Sequence, residues 1–215
     1  EGEFLDMLNS PDLLEDEDYH SSELLGWLYQ FYISERKDQV FAKKGKYETD
    51  DIPAATQIFT PNWIVKYMVQ NTIGGVLGGK KALPENHRKY YVDEPKGKEP
   101  TAIVADIEKL RTGDLACGSG HILCEMFDLL YDLYISEYYS RREAIECILK
   151  KNLIGIDIDN RACQLAKFAL MLKACQKENS LIDASILPNI LGMPEVRRNT
   201  YNDLDGHFFT KYSSQ

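Results

Sequence analysis

Asp114-Leu115-Ala116-Cys117-Gly118-Ser119-Gly120-His121, with Gly155-Ile156-Asp157-Ile158-Asp159 further along, decides how this chain folds. The first stretch reads as a tight glycine turn between a short strand and an apolar helix. The second reads as a short apolar strand closing on a carboxylate. Strand, turn, helix, strand and helix in that order specify an α/β domain with a parallel sheet. Gly118 and Gly120 remove side chains where backbone must approach a ligand, and the following helix start presents free N–H groups. A carboxylate at the end of the second strand can accept hydrogen bonds from ribose hydroxyls, so the pair of stretches suits an adenosine-containing cofactor.

Each stretch also has a bland reading. A glycine cluster is explained by a tight strand-to-helix turn without any ligand. Gly-Ile-Asp-Ile-Asp is by itself a strand end and a helix cap, with Asp159, just before Asn160, suiting the cap. The full wording Ala-Cys-Gly-Ser-Gly-His departs from the dinucleotide fingerprint Gly-x-Gly-x-x-Gly, which the chain lacks, and points to S-adenosylmethionine. In that reading Asp114 meets a cationic amine directly or through water. Asp157 takes the ribose hydroxyls, and Ile158 packs on the adenine. His121 belongs to the cofactor helix and is no general base. Cys117 is a small packing residue of the turn, since no base stands beside it to make it a nucleophile.

Outward from the turn, Leu123, Phe127, Leu130, Tyr131 and Tyr134 repeat at helical spacing, and a second helix spans about 142–151. The strand before the turn, about 110–114, is poor, because Arg111, Thr112 and Gly113 stand where a buried parallel strand wants apolar residues. The second strand spans 152–157. The helix capped by Asp159 or Asn160 runs to about Lys177 with Ala162, Leu165, Ala166 and Ala169 inward. After Leu181 periodicity decays, so two strands are legible and the sheet is incomplete.

Upstream, Ser21 or Ser22 caps a helix to about Lys37 with Leu24, Leu25, Leu28, Phe31 and Tyr32 at helical spacing, its surface widened by Trp27 and Tyr29. Residues 52–59 read as extended, with Pro53 excluding a helix interior. Thr60 is the expected N-cap and Pro61 the first residue of a helix with Ile64, Val65, Met68, Val69 and Ile73 on one face, ended by Gly74-Gly75. Such a helix start can hold a carboxylate, here that of the cofactor's methionine. Residues 78–101 read as a long loop. His20, His87 and His207 have no companions and are expected at the surface.

Composition bounds the partners. Hydrophobic residues make up 44% and charged residues 27%, as in a soluble globular protein, and no apolar run reaches bilayer length. Cysteines at 117, 124, 147, 163 and 175 form no Cys-x-x-Cys pair, which argues against a zinc site or disulfide framework and for a reduced, cytoplasmic setting. The net charge of -9 resides in residues 1–51, and the remainder balances. No basic duplex-gripping surface is evident. The chain starts at Glu1 without an initiator Met, as a processed or truncated chain would.

Taken together, these residues resemble the adenine-specific DNA methyltransferases of the PglX type from bacteriophage-exclusion systems, class I enzymes dependent on S-adenosylmethionine. The likeness covers Gly26 to Tyr32, Ser34 to Ala42, Ile52 to Val65, Asp114 to Leu123 and Gly155 to Leu170. It implies a partial Rossmann-like methyltransferase domain, its parallel sheet incomplete, at 52–215 behind a helical N-terminal region at 1–51. It implies Phe59, Thr60, Asp114, Ala116, Cys117, Gly118, Gly120, Asp157 and Ile158 as cofactor-binding residues. It also implies double-stranded DNA, bound through the full-length protein, and other phage-defence proteins as partners. Type I modification subunits are similar but usually continue with Gly-Gly-Phe after the turn, where this chain has Gly120-His121-Ile122. Leu115 replaces the family's proline, and Thr112-Gly113 replace its apolar pair. The catalytic Asn-Pro-Pro-Tyr, which holds the flipped adenine, is absent from these residues, so the chain reads as a fragment ending before it, inactive alone. A protein or RNA methyltransferase, or a non-catalytic module docking through the helix around Trp27, are the competing expectations.

Overall fold

Three parallel strands lie side by side in chain order: β1 (Thr112–Asp114), β2 (Leu153–Asp157) and β3 (Ile190–Gly192). The computed structural model describes residues 22–43, 45–58, 60–95, 97, 101–179 and 186–193, without the side chains of 22, 23, 25, 27 and 49. Asp114 pairs with Gly155, and Gly155 pairs in turn with Ile190. The strands' carboxyl ends therefore lie together. Among the described residues six α-helices surround them: α1 (Ser22–Phe41), α2 (Ile52–Thr56), α3 (Asn62–Leu77), α4 (His121–Ser136), α5 (Arg141–Cys147) and α6 (Asn160–Lys177).

The helix after the glycine turn forms the centre of the core. Leu123, Phe127, Leu130 and Tyr134 of α4 are fully buried, against α3 on one side and α6 on the other. In α6 the inward residues are Ala162, Ala166 and Ala169, small enough for close approach to the sheet, while Leu165 is partly buried. A capping box at Ser140 and Glu143 starts α5, and a π turn at Ile148–Asn152 delivers the chain into β2.

The weak strand β1 is held by a residue outside it. Asn152, 1% exposed, donates from Nδ2 to the carbonyls of Ile107 and Leu110 at 2.8 Å each, and its Oδ1 accepts from the Tyr134 hydroxyl at 2.8 Å. Such a satisfied buried amide fixes the approach to β1 where side-chain burial does not. Gly113 also has a packing reason, since a Cβ there would lie 2.7 Å from Ile154 Cγ2.

Several expectations are corrected. Residues 52–56 are helical because Pro53 falls in the first turn of α2, where its missing N–H costs nothing. α3 starts at Asn62 with Pro61 as N-cap and no side-chain cap bond, so Thr60 lies outside the helix. α3 continues past Gly74-Gly75 to Leu77 and stops at Gly78, in the left-handed conformation (φ +105°). The inward face of α1 is Gly26, Tyr29, Ile33 and Val40, while Phe31 and Tyr32 are 63% and 67% exposed. The stretch after Gly78 is pinned by buried Leu83 and Tyr91. His87, expected at the surface, is 7% exposed and bonded to Asp132 at 3.0 Å. The third strand, β3, was not legible. His20 and His207 lie outside the described residues.

Candidate cofactor site

At the carboxyl end of the strands a cavity of about 340 Å³ opens, the position where parallel α/β sheets bind ligands. The glycine turn forms its floor. Gly118 has φ +52° and Gly120 φ +85°, conformations that cost a side chain 1 kcal/mol or more. These turns point the Cys117 N–H at the Ile156 carbonyl (2.9 Å) and the Gly118 N–H at Asp157 Oδ2 (2.7 Å). The turn is thereby fastened to the end of β2.

Asp157 is 8% exposed, and both of its oxygens are engaged, Oδ1 accepting the Asp159 N–H at 2.8 Å. Each carboxylate oxygen has a second lone pair, so a ligand hydroxyl can still be accepted. Asp159 is the cap of α6, accepting the Arg161 N–H at 2.9 Å. Asp114 is placed differently. Its Oδ1 accepts the Ala116 N–H at 3.1 Å, while its Oδ2 is buried with no hydrogen-bond partner among the described residues. Burial raises the Asp114 carboxyl above its ordinary value, the Ala116 N–H opposes this, and the charge of Asp157 adds to it. A buried oxygen left unsatisfied is costly and suits a cationic ligand group.

The structure brings Thr60, Asp114, Ala116, Cys117, Gly118, Asp157 and Ile158 together on this cavity. Gly120 is not on its lining. A Cβ there would meet Ala166 Cβ at 2.8 Å, so this glycine lets the turn sit on α6. Phe59 lies outside the described residues. Burial pushes the Cys117 thiol up to about 12, with Asp157 next in effect, in keeping with a packing role. His121 lines the cavity from the first turn of α4. Sequence reasoning missed the walls: Gly26 and Gln30 from α1, Thr56 and Gln57 at the end of α2, and Met193 after β3. Thr56-Gln57, separated from Phe59-Thr60-Pro61 by Ile58 alone, was the available signal for the α2 wall. Ile58, Leu115 and Ile158 expose apolar side chains around the opening (76%, 75% and 44%), a surface suited to a planar base.

A sequential parallel sheet flanked by helices, with a glycine turn and a carboxylate meeting at its carboxyl edge, is a partial Rossmann-like methyltransferase fold. Known proteins give the closer likeness. The chain is 41% identical over 196 residues to the adenine-specific methyltransferase BrxX of Escherichia coli O9:H4 (strain HS), covering 86% of this chain and 16% of BrxX. It is 42% identical over 190 residues to the adenine-specific methyltransferase PglX of Lacticaseibacillus casei (strain Zhang), covering 81% of this chain and 16% of PglX. The type II restriction enzyme and methyltransferase RM.Eco57I of Escherichia coli is 30% identical over 191 residues, covering 78% of this chain and 17% of that protein. The chain thus resembles PglX-type adenine-specific methyltransferases over most of its length, and it spans 16% of the length of BrxX and of PglX. No family model matches it.

Proposed function

We propose that this chain forms the S-adenosylmethionine-binding portion of a site-specific DNA adenine-N6 methyltransferase of a phage-defence or restriction-modification system. The observation that carries the reading is the one cavity bounded by the glycine turn, the β2 carboxylate and the unsatisfied Asp114 oxygen. The names of the relatives support the reaction class.

S-adenosylmethionine would bring an activated methyl on a sulfonium. Asp157 would accept the ribose hydroxyls and Ile158 would cover one adenine face. Asp114 would receive the methionine ammonium, with Thr60 and the turn backbone at the carboxylate end. Ala116, Cys117 and Gly118 present backbone rather than bulk there, and Phe59 stands in the same Phe-Thr-Pro block as Thr60. No catalytic group is assigned, since Asn-Pro-Pro-Tyr does not occur in these residues. The 215-residue chain is therefore expected to bind cofactor without methylating adenine, and DNA would be gripped by further parts of a longer protein.

Calorimetric titration tests the reading. The wild-type chain should bind S-adenosylmethionine, and Asp157→Ala should weaken it by roughly tenfold or more, about 1.4 kcal/mol. Absence of binding by the wild type, or equal affinity in the variant, would overturn it.

A further inference from the structure

Helix α1 comes to the cavity from a distant part of the chain, and one buried side chain ties it there. Gly26 and Gln30 line the cavity wall, and Tyr29 lies between them. Tyr29 is 8% exposed, and its hydroxyl donates to Asp159 Oδ2 at 2.5 Å across a separation of 130 residues. The Asp159 N–H donates to Asp157 Oδ1 at 2.8 Å, and Asp157 Oδ2 accepts the Gly118 N–H at 2.7 Å. An unbroken run of hydrogen bonds thus joins α1 to the glycine turn through both aspartates. Ile33 packs beside it with Ala162 and Leu165.

We propose that Tyr29 is a positioning residue of the cofactor site. It holds the Asp157-Ile158-Asp159 segment in the conformation that presents Asp157 to the ribose, and it sets α1 as the cavity wall. The inference rests on the cofactor reading above and assigns a role to a helix which that reading does not need. Capping does not explain the bond. Asp159 already caps α6 through Oδ1, which accepts the Arg161 N–H at 2.9 Å, and Tyr29 occupies the other oxygen. The bond itself lies behind the cavity wall, where Tyr29 and Asp159 line a neighbouring hollow, and it acts through a residue whose backbone N–H bonds to Asp157.

The test compares Tyr29→Phe with a second buried tyrosine remote from the cavity. Tyr91, 8% exposed, donates to Glu94 Oε1 at 2.8 Å outside the cavity lining, so Tyr91→Phe reports what losing a purely structural hydroxyl does. Tyr29→Phe should weaken S-adenosylmethionine and adenosine by the same factor, roughly tenfold, the worth of a ribose hydrogen bond to an Asp157 carboxylate no longer held in place. Equal loss for adenosine is expected because the ribose end is common to both ligands. Tyr91→Phe should lower thermal stability and leave both affinities unchanged. Asp159→Asn and Tyr29→Phe should be non-additive in the double variant. Wild-type affinity in Tyr29→Phe, or additive losses in the cycle, would overturn the inference alone. A wild-type chain that binds neither ligand would overturn it together with the cofactor reading.

Discussion

A methyl group added at Gly120 would sit 2.8 Å from Ala166 Cβ and 3.0 Å from its Cα, on a backbone with φ +85°. Neither neighbour can rotate away, so Gly120→Ala should cost about 3 kcal/mol, left-handed strain and overpacking together. At Gly118 the nearest atom is the mobile amide end of Gln57, 3.0 Å away. Gly118→Ala should cost only about 1 kcal/mol and act chiefly on cofactor affinity. Urea unfolding beside calorimetry separates the two. Asp114 makes a prediction in pH. Its carboxyl is raised above the ordinary 3.8, chiefly by burial. Only the ionised form attracts an ammonium group, and a raised value moves loss of ionisation to higher pH. S-adenosylmethionine affinity should therefore decline on acidification before pH 3.8 is reached, and Asp114→Asn should remove that decline. At this scale the sequence was legible for several residues whose role is set by their neighbours in the chain. Asp159 as a cap and Cys117 as packing are examples. Thr60 is a counterexample, since its Thr-Pro start signal gave way to Pro61 as the N-cap. Tyr29 and Asn152 were illegible because their partners lie far away in the chain.

Helices α4 and α6 follow directly from spacing, since each buries one continuous apolar face, whereas β2 is legible as a short apolar run although its most buried residues are Leu153, Gly155 and Asp157. The expected end of α3 at Gly74-Gly75 failed because tertiary packing of Gly74 beneath Tyr91 and Leu83 keeps the helix going. For α1 the periodicity offered more than one apolar stripe, and contact with α6 selected Tyr29 and Ile33. Three-residue β3 is too short to show any period. It is specified by pairing, with the Gly155 N–H on the Asn189 carbonyl and the Met193 N–H on Asp157 (2.9 Å each). One element makes a clean test. In the α5 capping box Ser140 accepts the Glu143 N–H and Glu143 reaches back to the Ser140 N–H. Ser140→Ala should cost about 1 kcal/mol in chemical denaturation and leave cofactor affinity unchanged, because α5 lies outside the cavity.

The charge of the whole chain, -9, bears on nucleic acid. Duplex binding by phosphate contacts weakens steeply with salt in proportion to the cations engaged, and no basic cluster of the needed size occurs here. Fluorescence anisotropy with a labelled duplex should therefore show weak binding with a shallow salt slope. Among the described residues no helix is long and apolar enough to cross a membrane. The stretch before Lys46 is joined to the residues after it by more than the backbone. Lys43 and Arg36 both reach the Asp51 carboxylate, at 2.6 and 3.0 Å, and Lys37 donates to the Gln57 carbonyl at 2.9 Å. With the Tyr29 bond to Asp159, these contacts make the exposed stretch at Lys46 dispensable as a tether. A protease nick at Lys46 should leave two polypeptides that travel as one species through gel filtration and part only in denaturant.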